Sequence, residues 1–406
     1  MRESRLKVGV VATWSCLALG SILRVLWPLD IEWKYDEKWM LERAIQIADG
    51  NSPWPWIGMP SGAGVENPGA SIWPFALLAH IARTPISMTF AVMLLNVVAL
   101  WGFALWVHKT WPAETRERGM WGIALFAVSP LPVLFARKIW AQDLLPVLLV
   151  PWLWAHTKRE HFGAAFAWGL IGATLGQIHM SGFFAAAALA LATLIVDRKG
   201  TRWLGWFLGS CVAALPLLPW IKFVASPAAN HISAGYTVSV MFFWDALLNA
   251  FGLRLRYSLK HDFLTYLSGP QLFGTSTYLA GAAHVALLSM VFVGGWLAIR
   301  NRVWLKLPTD LQIHAISILG CGAMLHGLGV KFHPHYLIVF SPLLQMFVAW
   351  VFALRARLFW WTCGLQCFVT LTFMWFIHTN GGAPRGDYGV SYRAQTPEQR
   401  APLSAK

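Results

Sequence analysis

Residues 86–107 read ISMTFAVMLLNVVALWGFALWV, a stretch without one charged side chain. A helix needs about 20 mostly apolar residues to cross the hydrocarbon of a bilayer, so this stretch predicts a membrane span. Working outward, comparable runs occur at about 7–29, 119–136, 141–156, 162–178, 181–196, 203–224, 277–299, 312–330, 336–354 and 358–378, which brings the count to about eleven. Composition agrees: 57% of the 406 residues are hydrophobic and 12% are charged, where soluble domains carry about 25% charged residues. Too few polar side chains remain to cover a surface in water. Disorder is excluded by the apolarity, and a fibrous repeat by the lack of any period in Gly and Pro. The predicted fold class is an all-α polytopic membrane protein.

Lys and Arg set the orientation. With the N-terminus inside, each inner segment carries a cluster: Arg2, Arg5 and Lys7; Lys109, Arg116 and Arg118; Lys158 and Arg159; Arg198, Lys199 and Arg202; Arg300, Arg302 and Lys306; Arg355 and Arg357. The net charge of +14 is therefore a topology signal and does not suggest nucleic acid. The basic start followed by a long apolar run reads as a retained first span rather than a cleaved leader. Cys16, Cys211, Cys321, Cys363 and Cys367 lie in apolar runs without metal-ligand spacing, so neither disulfides nor a zinc site is expected.

Acidic residues collect on the opposite, outer side. Two long outer loops, about 30–85 and 225–276, are the places to expect function. The chain is thus read as a membrane module over 1–378 and a short outer tail over 379–406, too small for a domain and expected to be loosely ordered.

In the first loop, YDEKWMLERAIQIADG (35–50) places Met40, Leu41, Ala44, Ile45 and Ile47 on one helical face opposite Lys38, Glu42, Arg43 and Gln46. This predicts an amphipathic helix along the membrane surface. Asp36 and Glu37 open it. They are either first-turn acids that complement the helix dipole or functional carboxylates. Glu66 is the only charged residue between Asp49 and Arg83, and precedes a second short apolar helix at about 70–83. A lone carboxylate at headgroup depth is costly unless partnered or functional.

These residues resemble a known signature. A carboxylate pair heading an interfacial helix after the first span is similar to that of the GT-C glycosyltransferases, nearest to the aminoarabinose lipid A transferases and protein O-mannosyltransferases. Their second motif, a Glu followed by a basic or polar residue and Pro-Pro, is matched by Glu66-Asn67-Pro68-Gly69, with Asn67 and Gly69 as departures. SPLPVLFARKIWAQDLLPVLLVPWLWA (129–155) resembles the family's outer turn, with Arg137 and Asp143. Gln177-Ile178-His179 is similar to a bacterial Gln-x-His, and KFHPHYLIVFSPLL (331–344) to a late basic-Tyr segment, with His335-Tyr336.

The resemblance implies a polyprenyl-phosphate-linked sugar donor and inverting transfer to a lipid, glycan or protein acceptor on the outer face of a bacterial inner membrane. Asp36 would be the catalytic base, Glu37 would tune it, and Glu66 would bind sugar or acceptor. Arg137, Lys138, Lys331, His333 and His335 fall at outer span ends and are candidate donor-phosphate ligands; lipid-headgroup anchoring is the alternative for each. Arg254, Arg256 and Lys260 are read as headgroup contacts. Asp143, His179 and Tyr336 are candidate substrate-binding residues. No cofactor is certain; a divalent metal is compatible if Asp36, Glu66, Asp143 and a His converge. The competing class is a secondary transporter or lipid flippase, which would place ionisable groups at mid-membrane within repeated halves; no such repeat is visible here.

Overall fold

The computed structural model describes residues 2–60, 65–226 and 240–403, with the side chains of residues 2–8 left out. The basic residues Arg2, Arg5 and Lys7 that orient the first span, and His231 of the second loop, therefore lie outside the described side chains.

The helices in chain order are α1 (Arg2–Val25), α2 (Tyr35–Ala48), α3 (Trp73–Leu78), α4 (Pro85–Thr110), α5 (Ala113–Val128), α6 (Pro130–Phe135), α7 (Leu145–Thr157), α8 (Phe162–Ile178), α9 (Met180–Val196) and α10 (Trp203–Ala214). They continue with α11 (Leu218–Val224), α12 (Met241–Ala250), α13 (Arg256–Leu259), α14 (Phe263–Leu267), α15 (Leu279–Arg300), α16 (Thr309–Gly327), α17 (Leu343–Val351), α18 (Ala356–Asn380) and α19 (Pro397–Arg400). Among the described residues, strands are confined to three two-stranded hairpins. One of them, β1 (Ile57–Pro60) with β2 (Glu66–Pro68), lies in the first outer loop.

Every predicted span overlaps one of these helices. By length and apolarity, α4, α15, α18 and the continuous 203–224 segment could each cross a membrane. The 334–351 segment does so only if its two parts, bent by 76°, count as one span. The chain is an integral membrane protein. Prolines divide several runs that the hydropathy pattern reads as continuous: Pro130 opens α6 directly after α5, and Pro342 stands between the 3-10 turn Pro334–Phe340 and α17. A proline has no N–H to give and its ring crowds the preceding turn.

Small residues set the closest helix contacts. A Cβ on Gly209 of α10 would come within 2.0 Å of the Phe166 carbonyl oxygen on α8, and one on Gly169 within 2.0 Å of that of Trp206. Backbones this close gain packing where lipid supplies no hydrophobic drive between helices.

At the end of the bundle where α1 and α18 finish, the first loop and the C-terminal segment fold together. Here the structure corrects the expectation of a loose tail. Tyr392 N–H donates to Ile31 C=O at 2.9 Å and Arg393 N–H to Leu29 C=O at 3.1 Å. The Tyr388 hydroxyl donates to Asp30 C=O at 2.8 Å, and Gln395 to Trp33 C=O at 2.8 Å. Asp30 also accepts from Arg393 at 3.0 Å and meets His378 at 2.6 Å. Short length argues against an independent domain, but not against docking onto a larger one.

Candidate active site

Helix α2 begins where the chain leaves α1 and turns along the bundle end. Its first turn contains the predicted pair. One Glu37 carboxylate oxygen accepts the Lys34 N–H at 3.0 Å, closing the helix start. The other is buried without a hydrogen-bond partner among the described residues. Burial raises the Glu37 pKa to about 6, with Glu32 adding to it and Lys34 and Lys138 opposing. Asp36, half-buried, is raised as well, because burial outweighs the nearby Lys34 and Lys138. Helix capping accounts for Glu37; it leaves the Asp36 carboxylate unassigned.

Behind the pair lies an ion network. Glu32 is 1% exposed and holds Lys34 Nζ at 2.8 Å and the equally buried Lys138 Nζ at 2.5 Å. Lys138 sits 4.3 Å above the Trp140 ring, which favours a cation over its face. Lys34 extends to the Asp387 carbonyl at 2.5 Å, and the Asp387 carboxylate meets Lys260 at 2.9 Å. Burial pushes Asp387 up, but Lys34, Lys260 and Lys138 together hold it below the usual carboxylate range. Neither Glu32 nor Lys34 was a sequence candidate. The signal was present in Asp30-Ile31-Glu32-Trp33-Lys34-Tyr35-Asp36-Glu37, where four acids and a lysine crowd into eight positions.

Asp36 opens onto a cleft walled by Met40, Met59, Asn67, Ser71, Trp140, Gln142 and His179. The β1–β2 hairpin supplies Asn67, tied back by its Nδ2 to Met59 C=O at 3.0 Å. The 3-10 turn Ala141–Leu144 supplies Gln142. His179 stands at the break between α8 and α9, its Nδ1 bonded to Ser181 Oγ at 2.8 Å; burial lowers its pKa to about 4, so the ring is neutral. Next to it the rings of His335, at 5.5 Å, and Tyr336, at 5.1 Å, pack edge-on. His333 stacks on His335 at 5.4 Å, and the Tyr257 hydroxyl reaches His335 Nδ1 at 3.3 Å. The Tyr336 hydroxyl is directed to the Met180 sulfur at 3.6 Å.

Four candidates stand apart from this cluster. Arg137 is buried, but its guanidinium donates to the carbonyls of Leu23, Arg24, Trp27 and Asp30 at 3.0–3.5 Å, closing the C-terminal end of α1. Those donors are committed to backbone oxygens, whereas the charge of the neighbouring Lys138 acts on both Asp36 and Glu37. Glu66 is not among the residues lining the Asp36 cleft; its carbonyl accepts from Trp220 Nε1 at 2.9 Å, and one carboxylate oxygen is buried without a partner among the described residues. Lys331 is exposed. Asp143 is fully buried, with neither carboxylate oxygen hydrogen-bonded among the described residues. A metal-binding convergence of Asp36, Glu66, Asp143 and a His is not formed: no group of three or more potential ligands occurs among the described residues.

No family model and no curated protein matches the chain. Solved structures do. ArnT from Cupriavidus metallidurans in the apo state superposes with a TM-score of 0.54 over 93% of this chain, at 14% identity. The chain has the fold of that ArnT. It spans 64% of that ArnT chain's length. A second ArnT structure, bound to undecaprenyl phosphate, matches with a TM-score of 0.50 at 13% identity, over 92% of this chain and 63% of the other. The fold expected from the first-loop and outer-turn residues is thus the fold observed.

Proposed function

We propose that the chain is an inverting membrane glycosyltransferase that uses a polyprenyl-phosphate-linked sugar. It has about eleven spans, its N-terminus inside, and its site on the outer face of a bacterial inner membrane. The reading rests on Asp36: a carboxylate with a raised pKa, open to a cleft, beside the two lysines that Glu32 holds. An ArnT of the same fold is known with undecaprenyl phosphate bound.

In this scheme Asp36 takes the proton of the acceptor hydroxyl as that oxygen bonds the sugar's anomeric carbon. The carbon–oxygen bond to the phosphate breaks, and the polyprenyl phosphate leaves with the electron pair. A base whose pKa is raised above the usual carboxylate range by burial suits the first event. Lys138 and Lys34 stabilise the charge that grows on the phosphate, where a preformed cation is worth most. Glu37 holds the α2 turn in place. His333, His335 and Tyr336 wall the donor side, and Glu66, in strand β2 of the hairpin, supports the acceptor side. The transporter alternative has no support in the described residues comparable to this cleft.

The test is to reconstitute the purified chain in liposomes with a panel of polyprenyl-phosphate sugars and a bacterial envelope extract as the source of lipid, glycan and protein acceptors, and to follow free polyprenyl phosphate by mass spectrometry. Release from at least one donor, with the product's anomeric configuration inverted by NMR, is expected. Donor binding with no release from any of them would defeat the proposal.

A further inference from the structure

Apart from Asp36, the polar groups lining the cleft carry no charge. Asn67 keeps its side-chain oxygen free after donating to Met59. Ser71 Oγ donates to Pro68 C=O at 2.7 Å and keeps its lone pairs. His179 uses Nδ1 on Ser181 and has Nε2 to spare. Gln142 is 9% exposed, yet its amide makes no hydrogen bond among the described residues. Its amide opens onto the cleft and offers a ligand both a donor and an acceptor.

We infer that the transferred sugar is an uncharged pentose or hexose whose hydroxyls are read by Gln142 and Asn67, with Gln142 as a specificity-determining residue. The inference rests on the transferase reading above. A hydroxyl pairs with an amide through one donated and one accepted bond. An ammonium-bearing sugar needs a carboxylate, and Asp36, the one carboxylate among the described cleft residues, would lose its role as base in serving it. A carboxylated sugar needs a cation of its own, but Lys138 and Lys34 serve the donor phosphate in the scheme above, and no other lysine or arginine is among the described cleft residues. Sites built around buried hydrogen-bonding groups reject ligands that leave those groups unpaired.

The experiment uses the full chain in liposomes, with a bacterial envelope extract supplying acceptor hydroxyls, and three probes: polyprenyl phosphates carrying arabinose, 4-amino-4-deoxyarabinose or galacturonic acid. Binding is read by native mass spectrometry and turnover by release of polyprenyl phosphate. The arabinose donor should exceed both charged donors at least about tenfold in kcat/KM, the worth of one good hydrogen bond. Gln142→Ala should raise its KM by about tenfold and change kcat little, since the contact exists before and during transfer. The nearly isosteric Gln142→Glu, which guards against a folding defect, should move preference toward the amino sugar. Preference of the wild type for a charged donor, or an unchanged KM in Gln142→Ala, overturns the inference and leaves the transferase reading standing. Binding without release of any donor defeats both.

Discussion

Replacing Glu32 with Gln removes the charge that holds two ammonium groups together. At 2.5 Å and an effective dielectric of about 20, the attraction between Glu32 and Lys138 is on the order of 6 kcal/mol before desolvation is counted. Taking two ions out of water costs several kcal/mol, so the net worth of the pair is small; breaking it is different, because Lys138 stays buried without its counter-charge. Loss of a buried partner costs about 3–5 kcal/mol. The low end applies here, since a Gln oxygen still accepts from Lys138 and the Trp140 ring lies 4.3 Å beneath it. Lys34 is one-third exposed, and its share adds about 1 kcal/mol or less. Glu32→Gln should therefore destabilise the protein by about 3 kcal/mol in mixed-micelle unfolding followed by Trp fluorescence. Lys138→Met in the same background removes the orphaned charge and should restore about 2 kcal/mol of that loss. A Glu32→Gln protein within about 0.5 kcal/mol of wild type, or a double variant whose losses simply add, would refute the reasoning.

Two further predictions concern the groups on either side. Glu37 has a folded pKa of about 6 against 4.5 when free, so the folded chain holds that proton more tightly than the unfolded one. Its contribution to stability falls as pH rises from about 4.5 to 6; against Glu37→Gln, wild type should lose on the order of 2 kcal/mol across that window, and a flat difference would remove the assignment. Arg137→Ala leaves the end of α1 without its donors and should lower unfolding stability by about 3 kcal/mol or more, with no rescue by Lys, which lacks the planar fork. Donor KM, measured on the folded fraction, should stay unchanged; a selective rise in KM would return Arg137 to the phosphate.

Much of the fold was legible because bilayer crossing imposes length and apolarity on each segment, as at 86–107 and 358–378. Where the reading failed, direction was what it lacked. Arg137 and Lys138 are adjacent, both basic and both at an outer turn, yet one reaches back to the carbonyls of α1 and the other reaches Glu32. Hydropathy and spacing cannot separate two such neighbours. Asp36 and Glu37 differ in the same way: one closes the helix start and the other opens onto the cleft. The docking of the tail depends on Tyr388 and Gln395 meeting backbone carbonyls, and Arg393 the Asp30 carboxylate, more than 350 residues earlier. Such pairings leave no local pattern. Gln142 was hidden for a related reason, as an uncharged amide in an apolar run draws no notice until its missing partner is seen.

The most direct test of the account compares wild type with Asp36→Asn in the reconstituted assay, measuring donor binding and polyprenyl phosphate release on the same preparations. The account predicts that Asp36→Asn binds donor as wild type does and releases at least about a hundredfold less polyprenyl phosphate, the lower range for loss of a general base. Release at the wild-type rate from a variant that binds donor normally would contradict it.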